Sequence, residues 1–354
     1  MQKHYKENHL KTYAVKSINS KGRIYIEPEN SIRTPYQRDR DRIIHSSSFR
    51  RLKHKTQVFV NTVGDHYRTR LTHSMEVSQI ARTLARTLGL NEDLSETLSL
   101  SHDLGHTPFG HAGEEILSQC MSKYGGFDHN IQTLRIVTSI ENKYYKFSGL
   151  NLTIETLDGL IKHNGPVNDI SSHKRILRNN LFKGKINFIR FPSLEAQVAA
   201  ISDDIAYNNH DLEDGLRAGL FTLKKFSSVP LMSRLIDKHV KQIKSFRKEI
   251  IIGQIVRELI NLMVVDVIDT TNKNLKKSNP QSINDIYKQD HLIVDFSSKM
   301  KKIDKQIKDF LRLNMYNHKK VVVNTNRGRE IIYDLFKYLL KNPKQHINKD
   351  LFKN

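Results

Sequence analysis

The sequence predicts an all-α fold, predominantly helical, with room for at most one small β-hairpin. Apolar residues recur at three- and four-residue steps over long stretches, as Val77, Ile80, Ala81, Leu84 and Leu88 do; this is the stripe of an amphipathic helix. Glycine and proline, 16 and 8 in 354 residues, are too sparse to punctuate a series of short strands. Alternation of β-branched residues is confined to short pieces such as Lys320–Asn324.

Taken in order, residues 1–30 read as a polar lead-in with one short extended segment, GRIYIEPE. Residues 31–55 carry a dense arginine cluster: Arg33, Arg38, Arg40, Arg42, Arg50 and Arg51. From 73 to about 120 the pattern is helical. Gly89 ends the first helix, and Asn91 or Asp93 caps a second that carries Leu94, Leu98 and His102 at i, i+4 and i+8. Gly105 and Pro108 then break the chain. A third strong helix runs from about Ser193 to His210, and 230–270 and 290–340 read mostly helical. Lys273–Ser282 (KNLKKSNPQS) reads as a linker or exposed loop. No internal repeat is visible. The expected organisation is a lead-in (1–30), a core (31–220) and a helical C-terminal region (221–354) packed on that core.

Bulk properties remove several function classes. No run approaches the roughly 18 apolar residues of a membrane span, and the N-terminal MQKHYKENHLK lacks the apolar stretch of a secretory signal. The single cysteine, Cys120, rules out an intrachain disulfide and suits a reducing cytoplasm. Lysine and arginine number 58 against 37 acidic residues, a formal charge of +21. Such a balance favours polyanionic partners: nucleic acid, nucleotides or an anionic membrane surface, and single-stranded nucleic acid is expected to bind with salt-sensitive affinity. The abundance of Lys, Asn and Ile offers a purely compositional explanation beside it.

The segment richest in chemistry is HDLGHTPFGHAGEE, residues 102–115. His102, His106 and His111 fall within fourteen positions of Asp103, Glu114 and Glu115. Imidazole and carboxylate together suit borderline divalent ions better than calcium. One His-Asp pair supplies too few ligands, so others must come from elsewhere. His73, in RLTHS, starts the first striped helix, where an ordinary helix-end histidine is the plain alternative. In SDDIAYNNHD, Asp203, Tyr207 and Asp211 form one polar stripe on an otherwise apolar helix. Carboxylates there are costly unless something positive sits opposite; a metal would satisfy them, and so would an arginine from the 33–51 cluster.

The order His … His-Asp … Asp resembles the HD phosphohydrolase superfamily. The wider wording is more specific: TPYQRDRDRIIHSSSFRRL, RTRLTHSMEV, HDLGHTPFGHAGEE, FDHNIQTLRIV, IKHNGP and SDDIAYNNHDLEDGLRAG. Together these segments resemble the deoxyguanosinetriphosphate triphosphohydrolase-like proteins over residues 31–220, and more loosely through LFKYLLKNP near the C-terminus. The resemblance implies a predominantly helical HD-domain fold. It implies cleavage of a dNTP between the sugar 5′ oxygen and the α-phosphorus, releasing a deoxynucleoside and intact triphosphate.

Carried over residue by residue, it makes His73, His102, Asp103 and Asp203 ligands of a divalent ion (Mn, Mg, Fe, Co, Ni or Zn), with Asp203 preferred over Asp204. His111 and Glu114 match a catalytic His-acidic pair, and His106 and His129 match positions facing the phosphates. Tyr207 and Asp211 match residues beside the deoxyribose, and Gln57 and Arg70 match sugar- and phosphate-contacting positions. The resemblance further implies a homo-oligomer, tetramer or hexamer, and leaves open a nucleotide effector; the expected location stays the cytoplasm that the single cysteine suits. In this scheme His111 acts as general acid, oriented by Glu114, and some of the 33–51 arginines join Arg70 on the triphosphate. Two rival readings stand beside it: an HD hydrolase of another nucleotide phosphoester, and a nucleic-acid-binding regulator with a vestigial pocket. Because ligands as distant as 73 and 203 must meet at one ion, the chain is expected to fold as one domain.

Overall fold

The computed structural model describes residues 6–58, 68–169, 171, 173, 184–242 and 247–346. Its helices are α1 (Pro35–Ile44), α2 (Ser47–Arg51), α3 (Arg70–Leu88), α4 (Glu92–Ser101), α5 (Gly110–Cys120), α6 (His129–Arg135), α7 (Ile154–Ile161) and α8 (Leu194–Arg217). There follow α9 (Leu223–Phe226), α10 (Pro230–Gln242), α11 (Lys248–Ser278), α12 (Ile283–Tyr287), α13 (Ser298–Leu311), α14 (Lys319–Lys341) and α15 (Pro343–His346). The fold is all-α. Among the described residues no helix is long and apolar enough to cross a membrane.

Local chemistry explains where the helices that carry the site begin and end. Thr34 closes a capping box with Gln37 ahead of Pro35, whose missing N–H costs nothing in the first turn. Thr69 and Thr72 cap α3 reciprocally, and Gly89 ends it in the left-handed region at φ 68°. Asn91 is the cap of α4: its side chain accepts from Leu94 N–H. Ser193 caps α8, which runs on past His210 to Arg217.

The stripe on α3 is buried, with Val77, Ala81 and Leu84 at 0% exposure. Burial of a valine or leucine side chain of this kind is worth about 1.5–3 kcal/mol. It packs against α4 and α8, while α4 lies between α1 and α8, α11 covers α8, and α14 lies along α5. One apolar cluster joins α3 and α8 to α10, α11 and α13; a second joins α1, α2, α4 and α7. The polar lead-in is tied to this body. Leu10, Ala14 and Val15 are buried, Glu195 of α8 accepts from Val15 N–H and Asn91 N–H, and Arg23 pairs with the buried Asp39.

Three local expectations change. GRIYIEPE forms no strand; only Arg23 pairs, across an isolated bridge with Thr153. Among the described residues such isolated bridges are all the β-structure there is, and no hairpin of named strands forms. Lys320–Asn324 lies in the first turns of α14. The helix penalty of a valine is only a few tenths of a kcal/mol, and capping by His318 with burial of Val321 outweighs it. Lys273–Ser278 continues α11, because Thr271 and Leu275 keep that face buried. The helix stops where Asn279 turns left-handed at φ 43°, one residue before Pro280.

Candidate active site

Two clusters of ionisable side chains face each other across the turn 102–109. The first is held by α3, the end of α4, and α8. His73 Nε2 lies 2.8 Å from Asp203 Oδ1. His102 Nε2 lies 3.5 Å from the same oxygen and 3.6 Å from Asp103 Oδ1. Ligand atoms of His73, His102 and Asp203 all fall within 4.8 Å of one another. Asp103 stands at the edge of this group, its Oδ2 accepting from Arg70 Nη1 at 2.7 Å. The neighbouring Asp204 points away, onto Lys308 Nζ at 3.0 Å.

The donor set fits a divalent ion. His102 Nδ1 donates to the Ser99 carbonyl at 2.7 Å, so Nε2 is the ring nitrogen left for an ion. That Nε2 is buried and has no hydrogen-bond partner. Burial alone would favour neutral His102, but Asp103 and Asp203 outweigh it and raise the imidazole to about 9. Burial likewise opposes the ionised Asp103, and Arg70 and His102 together hold it well below the usual carboxylate range. A site that draws positive charge this strongly, around an imidazole nitrogen whose proton a metal would displace, suits a borderline cation.

The second cluster sits at the start of α5 and α6. Phe109 adopts the left-handed conformation, φ 62°, and turns the chain into α5. His129 Nδ1 and the His129 backbone N–H both donate to Glu114 Oε1 at 2.8 Å. His111 Nδ1 lies 3.5 Å from Glu114 Oε2, and its side chain is 70% exposed. The expected His111–Glu114 pair is therefore one arm of a shared carboxylate, and the tighter partner is His129. His106 stacks on His129 with ring centroids 4.7 Å apart. Burial, and then Arg70, pushes His106 down to about 2, whereas Glu114 overcomes burial to raise His129. Two touching imidazoles are thus pushed in opposite directions.

The turn between the clusters is fixed by close packing. Thr133 Oγ1 accepts from Gly105 N–H and donates to the His102 carbonyl. A Cβ at Gly105 would sit 2.2 Å from both the His129 carbonyl oxygen and Thr133 N, all backbone. Gly105→Ala is therefore expected to push α6 off the turn and destabilise the protein by at least about 1–3 kcal/mol. A denaturant titration checks this; an unchanged midpoint would show that the approach of α6 does not matter.

Comparison with known proteins now bears on this geometry. An HD domain model matches residues 70–208, which include His73, His102, Asp103 and Asp203, and a phosphohydrolase-associated domain matches 294–353. The chain is 58% identical to a deoxyguanosinetriphosphate triphosphohydrolase-like protein of Pelagibacter ubique, over 95% of this chain and 90% of that one. Proteins of the same description from Brucella anthropi and Bartonella tribocorum are 51% and 50% identical, each over 94% of this chain and 84% of theirs. The chain belongs to the deoxyguanosinetriphosphate triphosphohydrolase-like family. With its HD domain, that membership makes it a hydrolase by class.

The other residues expected from the family pattern gather around Arg70. Gln57 is buried with Oε1 unpartnered, and its carbonyl would touch a Cβ at Gly110, as would Arg70. Asp211 accepts from the Tyr316 hydroxyl at 2.5 Å through Oδ2, leaving Oδ1 buried and unpartnered. Tyr207 stacks near Tyr316 at 6.5 Å. The arginine cluster does something else. Arg33 pairs with Asp41, Arg40 with Asp93 and Glu96, and Arg42 with Glu27, while Arg38 and Arg50 donate to backbone carbonyls. Acidic groups of α1, α4 and the lead-in lie closer than the site does, so these five hold the scaffold.

Several site residues carried no separate expectation. Lys55 donates to the Leu104 carbonyl at 3.0 Å, and burial and then Arg70 push its ammonium down to about 8. Arg68 ties α3 to α8 through Glu76, Glu213 and Asp214. His210 Nδ1 is 3.4 Å from His73 Nδ1. His163 lies 3.6 Å from Asp203 Oδ2. Arg68, His163 and His210 had a signal of a kind, lying inside the quoted segments RTRLTHSMEV, IKHNGP and SDDIAYNNHD, whereas Lys55 lies outside them.

Burial, and then the neighbouring Asp214, pushes the Asp211 carboxyl up to about 7. An unfolded aspartate titrates near about 3.9. Between these values the folded state binds the extra proton, so this group's contribution to stability falls as pH rises from about 4 to 7 and stays lost above. Asp211→Asn cannot ionise. Its stability relative to wild type is expected to rise between pH 5 and pH 8, by about 1.4 kcal/mol per pH unit at most, and its melting temperature with it. Parallel melting curves for the two proteins across that range would contradict the assignment.

Proposed function

We propose that the protein hydrolyses deoxynucleoside triphosphates to deoxynucleoside and inorganic triphosphate, with a divalent ion held by His73, His102, Asp103 and Asp203. The observation that carries this reading is that five buried polar atoms without partners belong to residues of this one site, while others are spread through the fold. His102 Nε2, His106 Nδ1, Arg70 Nε, Gln57 Oε1 and Asp211 Oδ1 are all buried and unpaired. Buried polar groups normally find partners, and unpaired ones call for an explanation. Here they combine an imidazole face for a cation, a guanidinium for phosphate, and a carboxyl and an amide for sugar hydroxyls. A nucleotide with its metal would satisfy the whole set. The family to which the relatives belong supports a triphosphate substrate.

When bound, the ion would neutralise phosphate charge and lower the pKa of a water. The protein supplies the rest. Arg70, held against Asp103, presents a planar fork to phosphate oxygens. Water adds to the α-phosphorus as the bond to the sugar 5′ oxygen breaks, and the departing oxygen needs a proton. His111 presents that proton on Nε2, since its Nδ1 faces Glu114. His106 and His129 face the phosphates, and Tyr207, Asp211 and Gln57 hold the deoxyribose. Metal-stripped protein, resupplied with Mn or Mg and given each of the four dNTPs, a nucleoside monophosphate and a cyclic nucleotide, tests this. Metal-restored turnover of dNTPs alone is expected. Turnover of the monophosphate or cyclic nucleotide instead would favour another phosphoesterase, and no turnover would favour a regulator.

A further inference from the structure

His163 has no part in the scheme above, yet the fold delivers it to the metal group. It follows directly on α7, whose residues are all buried. Lys162, the C-cap, is pinned by an ion pair from its Nζ to Asp158 at 2.6 Å. Gly165 then turns the chain at φ 96°, its N–H bonded to the Lys162 carbonyl at 2.9 Å. The His163 side chain is thus set on a rigid corner. Its ring stacks on His102, centroids 5.3 Å apart and planes 25° from parallel. Its Nε2 lies 3.6 Å from Asp203 Oδ2.

The two oxygens of Asp203 therefore face different neighbours. Oδ1 faces His73 at 2.8 Å and His102 at 3.5 Å, the imidazoles of the candidate ligand set. Oδ2 faces His163. A carboxylate free to rotate can give an ion one oxygen or both. A donor on one side of it removes that freedom, and outer partners of this kind typically contribute 10–100-fold to metal affinity.

We propose that His163 is a positioning residue of the metal centre: it engages Asp203 Oδ2, so that Asp203 offers the ion Oδ1 alone, and its stacked ring keeps His102 in place. This rests on the reading of His73, His102, Asp103 and Asp203 as a divalent-metal site. Cobalt(II) tests both, because its visible absorption weakens when coordination number rises. Wild type, His163→Ala and His163→Gln are titrated with cobalt(II), following affinity and absorption, with far-UV circular dichroism as the control for folding. The glutamine amide can donate from about the place of Nε2.

In wild type, saturable cobalt binding with a defined visible band is expected. His163→Ala is expected to bind about 10–100-fold more weakly, with a weaker band as Asp203 turns both oxygens inward. His163→Gln is expected to restore both to near wild type. An alanine variant with unchanged affinity and band would overturn the proposal. So would a folded glutamine variant as defective as the alanine one, since that would mean the ring only fills space. If the alanine variant does not fold, the glutamine variant decides alone: wild-type affinity and band support the proposal, and loss of either overturns it. If wild type takes up no cobalt, the metal reading itself fails and this proposal falls with it.

Discussion

His102→Ala is expected to lose bound metal and hydrolysis together, with activity at background. His102 sits at the C-cap of α4, its Nδ1 committed to Ser99 and its Nε2 buried, unpartnered and between two carboxylates. Alanine removes one of two imidazoles from the donor group and leaves Asp103 and Asp203 facing one another with less positive charge between them. The apoprotein should still fold, because Leu94, Leu98 and Leu104 carry the packing around it. Elemental analysis of the purified variant beside its activity checks the pairing. Retained metal with lost activity would mean His102 acts on substrate and not on the ion.

His111→Ala is expected to behave differently, keeping its metal and slowing by about 10²–10⁴, the usual cost of a lost general acid. His111 lies in the first turn of α5, beyond the Gly105–Pro108 break, and outside the His73, His102 and Asp203 group. Glu114→Gln should slow the reaction less through His111, but it also releases His129, which Glu114 holds by two hydrogen bonds. Comparing His111→Ala with His129→Ala therefore separates two proton donors. If His111→Ala retained near-normal rate while His129→Ala did not, the proton comes from His129. If His111→Ala lost the metal as fully as His102→Ala, the division between ligand and acid would be wrong.

Much of the scaffold was legible because helix signals are local. Gly89 and Ser193 end and begin helices where their sequence neighbourhoods say they should, and Asn91 resolves the choice with Asp93 by accepting from Leu94 N–H. Lys273–Ser278 misled because its surface is all lysine and asparagine, while Leu275 and Thr271 bury the opposite face. Lys320–Asn324 misled because three adjacent valines look extended until a cap and a packing partner are supplied.

The candidate site shows the same division. His102 and Asp103 are neighbours in sequence, and the arrival of His73 and Asp203 followed from a family pattern and not from spacing. What no pattern disclosed were pairings set by three-dimensional approach. Glu114 turns to His129, fifteen residues on, as well as to His111 in its own helix. Tyr316 reaches Asp211 from the C-terminal region. Arginines 33 to 50 looked like a phosphate clamp because charge alone does not reveal the carboxylates of Asp41, Asp93, Glu96 and Glu27 that already neutralise three of them.

If water attacks the α-phosphorus and the bond to the sugar oxygen breaks, the oxygen of that water must end in the triphosphate. Incubating metal-loaded protein with dGTP in ¹⁸O-enriched water, and weighing the products by mass spectrometry, tests it most directly. The account predicts unlabelled deoxyguanosine and inorganic triphosphate carrying a single ¹⁸O atom. Labelled deoxyguanosine, or pyrophosphate or orthophosphate in place of triphosphate, would contradict it.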